Sequence, residues 1–167
     1  VICPASPIEV KHAVKAIAQM EIPVYLRMGT NREPEIYQNV DQCSFQVGKG
    51  ITLREGNDVT IIVSGPLAHD VLGAYDLLKQ QNIDARIVNI HTLKPIDKEI
   101  ILTAARETGG IVTVENHTII GGLGSAVSEV LAEDYHKPFR LKRLGIPDDF
   151  CMEYGSHQEL KQHYGLD

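Results

Sequence analysis

The residues able to do chemistry fall at three places in this chain. Glu115 and His117 stand two apart at the end of the apolar run 111–114. Alternation along a strand sends both side chains to one face, where a carboxylate and an imidazole can act as acid–base partners. The plainer reading is a solvated loop end or a subunit contact, because no nucleophile or metal ligand accompanies them. Next comes Gly121-Gly122-Leu123-Gly124-Ser125, which follows a strand and opens a helical pattern. Backbone amides and the helix dipole can hold an anion there. Val127 stands where the dinucleotide pattern needs glycine, and no Gly-Lys-Ser/Thr closes a Walker loop. Tight helix–sheet packing therefore competes with anion binding. Arg27 ends the run Val24-Tyr25-Leu26, and a guanidinium at a strand end can grip a phosphate through two hydrogen bonds or serve a salt bridge. Ser64-Gly65-Pro66 follows another strand, but no G-x-S-x-G elbow exists to make a hydrolase nucleophile. His69, His91, His136, His157 and His163 are scattered and read as surface or hydrogen-bonded histidines.

Secondary structure must position these groups. Residues 1–5 read as a short strand. Ser6-Pro7-Ile8-Glu9 is a capping box with proline at the first helical position and Glu9 reaching back to the cap amide. Val10, Ala13, Val14, Ile17 and Ala18 continue at helical spacing until Pro23, and Val24-Tyr25-Leu26 resumes as strand. Residues 1–28 thus predict a β-α-β unit. Residues 29–44 are polar, aperiodic and broken by Pro34, as in a linker. Residues 45–47 and 51–54, around Gly48-Lys49-Gly50, predict a hairpin or paired edge strands. Strands at 59–63, 85–90, 111–114 and 139–144 then alternate with helices at 67–81, 97–107 and 122–133. Ser156-His157-Gln158-Glu159 caps a last helix at 157–164. β-Branched runs such as V-T-I-I-V suit burial on both faces, and strand–helix alternation means right-handed crossovers. The expected fold is α/β, a three-layer sandwich with a mostly parallel twisted sheet.

The 167 residues carry 22 acids against 16 bases, a net charge of −6, and 43% are hydrophobic. That composition excludes disorder, and a chain this long buries roughly 70% of its unfolded surface without staples. An acidic chain lacking a basic block is a poor binder of nucleic acid or anionic membrane. No apolar run approaches the ~20 residues of a membrane helix, and no signal-peptide pattern opens the chain. Cys3, Cys43 and Cys151 are odd in number and far apart, against a disulfide framework or structural zinc and in keeping with the cytoplasm. The chain opens on Val1 inside an apolar run, and a fragment of a longer polypeptide is expected.

Residues 111–131, I-V-T-V-E-N-H-T-I-I-G-G-L-G-S-A-V-S-E-V-L, resemble the transketolase C-terminal domain. Within that family they are most like the small subunit of split bacterial and archaeal transketolases. V-I-C-P-A-S-P-I-E-V, P-V-Y-L-R-M-G, G-K-G-I-T-L-R-E-G-N-D-V-T-I-I-V-S-G, N-I-H-T-L-K-P-I-D and the ending L-G-I-P-D-D-F…Y-G-S…E-L…Y-G-L are similar too, in the family's order. Deoxyxylulose-phosphate synthase and the β subunits of 2-oxoacid dehydrogenases share the domain and form the alternative, in the latter as a docking module. A small-anion or nucleotide regulatory domain built on the 121–125 loop is a third reading.

The resemblance implies residues 1–28 as the end of a pyrimidine-binding domain, 29–44 as linker and 45–167 as the C-terminal domain. It implies a transferase moving two-carbon ketol units between sugar phosphates, with thiamine diphosphate and a divalent metal (magnesium or calcium) in the complete enzyme. The G-D-G motif for the diphosphate and the glutamate that activates the cofactor are absent here. Neither cofactor nor metal is therefore expected on this chain, and no catalytic residue is assigned to it. The expected partners are a second copy, in a homodimer, and an N-terminal transketolase subunit or domain. Arg27 takes the place of the family's substrate-phosphate arginine. The following G-T-N-R-E-P departs from the common pattern, which makes Arg32 the alternative.

Overall fold

The β-branched runs form the middle of one sheet. The computed structural model describes residues 1–29 and 33–167; Arg32 lies outside the described residues. β2 (Val59–Ser64), β3 (Ala85–Asn89) and β4 (Ile111–Thr118) run parallel, with Ile61 opposite Ile87 on one side and Val112 on the other. β5 (Leu141–Ile146) adds a parallel edge, starting where Leu141 meets Ile111, two residues later than expected. β1 (Ile51–Arg54) closes the other edge antiparallel to β3, giving the order β1-β3-β2-β4-β5.

Two cores follow from the period of two along β2. Ile61 and Val63 face Ala68 and Val71 of α2 (Ala68–Gln80), together with Ile87 and Leu166. Ile62 faces the opposite way, into Ile101 and Ala104 of α3 (Lys98–Glu107) and Leu123, Val127 and Leu131 of α4 (Leu123–Asp134). The result is the expected three-layer α/β arrangement. The last helix, α5 (His157–His163), has the full Ser156/Glu159 capping box, and Lys161 Nζ ties it to Asp70 of α2 at 2.7 Å.

Three local expectations need correction. Residues 45–47 form no strand and no hairpin with 51–54. The chain turns at Gly48, which has φ +83°, and the Phe45 ring stacks on His91 at 4.1 Å, so β1 takes its ladder from β3 instead. Residues 1–5 and 24–26 make isolated bridges rather than strands, Ile2 pairing with Leu26 and with Thr92. Pro4 follows at once and has no N–H to extend a ladder. In the first capping box, Ser6 accepts from the Glu9 amide of α1 (Pro7–Ile17), but the Glu9 carboxylate does not return to the cap. It is buried and accepts from the Ala5 amide at 2.8 Å, the Tyr37 hydroxyl at 2.6 Å and Asn89 Nδ2 at 2.6 Å. Burial pushes its carboxyl above the usual range, while these bonds pull the other way. The same burial raises the Cys43 thiol to about 11.

His91 is fully buried between the Phe45 ring and Thr92, whose hydroxyl lies 2.9 Å from Nδ1. Burial lowers its pKa from the ordinary 6.5 to about 4. A histidine that must stay neutral to fold stabilises the native state above its unfolded pKa. That contribution is lost as pH falls from 6.5 toward 4, because the unfolded chain takes up the proton first. Glu9, shifted the other way, works in the opposite sense, so wild type is best compared with a variant that keeps Glu9. Between pH 7.5 and pH 5.0, wild type should lose about 2 kcal/mol relative to His91→Gln. Denaturant unfolding of both proteins at the two pH values measures it, and parallel pH dependences would show that His91 titrates normally.

Candidate functional site

β4 runs past its ladder with β5, whose register breaks between Val114 and Thr118. Residues 115–117 therefore lie at the carboxyl end of the sheet, where α/β folds place ligands. Alternation sends Glu115 and His117 one way and Asn116 the other.

Glu115 is buried and accepts from the backbone amides of Leu123 at 2.7 Å and Gly124 at 2.8 Å, at the start of α4. A carboxylate there satisfies two donors that the helix cannot, and lies at the positive end of its dipole. A Cβ at Gly122 would overlap that carboxylate, and Gly121 turns the loop at φ +74°. The glycine cluster is an anion site, and the anion it holds is the chain's own side chain.

This also separates the expected acid–base pair. His117 Nδ1 stands 3.9 Å from Glu115 Oε2 and 2.9 Å from the Thr118 carbonyl, so the ring donates there. With both Glu115 oxygens on amides, the two residues share a face but form no catalytic dyad. Ser64 is buried at the end of β2, opposite Glu115 in the β2–β4 register, and both Glu115 oxygens are already taken by amides.

Arg27 is brought to the same edge by a backbone bond between its own N–H and the Ile2 carbonyl (2.8 Å). Its guanidinium meets Asn116 twice, Nη1 donating to Oδ1 at 2.7 Å and Nη2 to the backbone carbonyl at 2.9 Å. Nη1 also lies 3.7 Å from Cys3 Sγ. Gly65, at φ +70°, makes room for that thiol, since a Cβ there would strike it. Arg27 borders two open clefts. The larger, about 670 Å³, is shared with Met28, Glu33, Asn116 and His157. The smaller, about 330 Å³, brings in Lys94, Glu115 and His117. Sequence reasoning misses Asn116. Its opposite parity between Glu115 and His117 is the one available signal, and only the position of Arg27 gives that parity a meaning.

Two features that could hold a diphosphate or its metal are taken or missing among the described residues. The one glycine-rich loop at a helix start is filled by Glu115, and the described residues form no group of three His, Cys, Asp or Glu side chains placed to hold a metal ion. No helix among them is long and apolar enough to cross a membrane.

Residues 48–167 match the family described as transketolase, C-terminal domain. Over all 167 residues the chain is 42% identical to a transketolase C-terminal section of Methanocaldococcus jannaschii, covering 51% of that protein. It is 38% identical over 167 residues to one subunit of an apulose-4-phosphate transketolase from Phocaeicola vulgatus, covering 52% of it. A solved split-gene transketolase, described as an inactive β4 tetramer, superimposes with a TM-score of 0.91 at 41% identity, over 99% of this chain and 52% of that one. The chain thus spans about half the length of the curated relatives it matches.

Proposed function

Because the chain belongs to the transketolase C-terminal domain family, we propose that it is the C-terminal portion of a thiamine-diphosphate-dependent transketolase that transfers two-carbon ketol units between sugar phosphates. Residues 1–28 are then the end of the pyrimidine-binding domain, 29–44 a linker and 45–167 the C-terminal domain. The cofactor's diphosphate and its divalent metal are held by an N-terminal subunit or domain. This chain supplies the dimer's supporting domain, in the cytoplasm, and one substrate contact, Arg27.

The observation that carries the substrate assignment is the position of Arg27. An unneutralised guanidinium lies at the carboxyl edge of a parallel sheet, bordering two clefts and bonded only to neutral groups among the described residues. A sugar phosphate is the anion it would grip.

The division of labour has a direct test. The chain alone should show no micromolar affinity for thiamine diphosphate and magnesium by calorimetry, and no ketol transfer. Adding the N-terminal subunit should bring both. Micromolar binding or turnover by the isolated chain would overturn the assignment of the cofactor to the other part.

A further inference from the structure

A guanidinium has five N–H groups, and among the described residues three of those on Arg27 meet a partner. Two point end-on at Asn116, one to each of its oxygens, and the second proton of Nη1 faces the Cys3 thiol. The edge left over carries Nε–H and the outer N–H of Nη2, a side-on fork with the spacing of two phosphate oxygens. Among the described residues no carboxylate forms an ion pair with this arginine.

Asn116 can make both bonds because of where it sits. Its carbonyl lies in the stretch where β4 has left its register with β5, and its side chain points away from Glu115 and His117. An amide also holds the arginine at no electrostatic cost. An aspartate in its place would accept the same bonds and neutralise the charge that an incoming anion needs.

We propose that Asn116 is the positioning residue of an anion site on Arg27, fixing the guanidinium end-on so that its side-on edge receives the phosphate of the sugar substrate. This rests on the reading of Arg27 as a phosphate ligand, and the test separates the two.

The complete enzyme, assembled from this chain and its N-terminal partner, is assayed with a phosphorylated acceptor and its non-phosphorylated counterpart. Wild type, Arg27→Ala, Asn116→Ala and the double variant are compared. Asn116→Ala should raise KM for the phosphorylated acceptor about five-fold, with kcat and the KM of the other acceptor held. The double variant should match Arg27→Ala alone, since a residue acting through the arginine has nothing left to position. Asn116→Asp keeps the size and the acceptor and so guards against misfolding. It should raise the same KM further than alanine does, by neutralising Arg27.

If Arg27→Ala shows no preference for the phosphorylated acceptor, the phosphate reading itself falls. If Arg27→Ala is selective while Asn116→Ala matches wild type, adds to it independently, or affects both acceptors alike, the positioning role is overturned and the reading of Arg27 stands. An Asn116→Asp enzyme with wild-type KM would also overturn it.

Discussion

Arg27→Ala should raise KM for phosphorylated substrates by about ten-fold or more in the complete enzyme, while non-phosphorylated substrates respond far less. The guanidinium would grip a group remote from the reacting carbons. Its loss removes binding felt equally in the ground state and the transition state, so KM carries the effect and kcat changes little. Arg27→Lys should recover only part of the affinity. A lysine keeps the charge but cannot hold the two Asn116 oxygens with one edge and a phosphate with another. The ordered position of Arg27, with bonds of 2.7 and 2.9 Å to a residue 89 positions away, means that little side-chain freedom remains to be lost on binding. Steady-state kinetics on matched acceptors measures the effect. Equal responses for both substrate types, or none, would make Arg27 structural and turn attention to Arg32.

The second large effect concerns folding. Glu115→Ala should cost about 3 kcal/mol of stability and lower Tm by about 6–12 °C. The carboxylate is buried and makes two charge-assisted bonds to the first amides of α4. Alanine leaves both buried donors without a protein acceptor, and removes the charge that faces the helix dipole. Glu115→Gln should cost somewhat less, about 2 kcal/mol, because one oxygen still accepts while its NH₂ faces an amide donor. Gly122→Ala attacks the same contact from the other side, since its Cβ would overlap the carboxylate. Its cost should shrink in a Glu115→Ala background, where the space has been vacated, a non-additivity that a double-mutant cycle reads out. Denaturant unfolding is the measurement. A Glu115→Ala cost under about 1 kcal/mol would show that α4 starts without help from this side chain.

Much of the architecture was legible in the residues because its causes are local. V-T-I-I-V and R-I-V-N-I are β-branched and continuous, and they became the buried parallel strands β2 and β3. Of the helical stripe Leu123, Ala126, Val127, Val130 and Leu131, all but the half-buried Ala126 became the buried face of α4. The misses share a different cause. Residues 45–47 have strand-like composition, but the Phe45 ring packs on His91, 46 positions later, and the segment leaves the sheet. Glu9 stands where a capping-box glutamate should, but Asn89 and Tyr37 offer its carboxylate better partners inside the protein than the cap amide does.

The sequence by itself determined the α/β class, the alternation of strands and helices and the helix caps at Ser6 and Ser156, because each is set by neighbours within a few residues. Only the tertiary structure decided the strand order β1-β3-β2-β4-β5, the antiparallel edge, the burial of Glu9 and His91, and the meeting of Arg27 with Asn116. It also turned the glycine cluster from a candidate ligand site into the seat of Glu115. The physical reason is that hydrophobic periodicity names the face a side chain points to but not what waits there. A polar group taken even partly out of water must find a partner wherever the fold supplies one, and for half-buried Arg27 and buried Glu9 such partners lie 89 and 80 positions away along the chain.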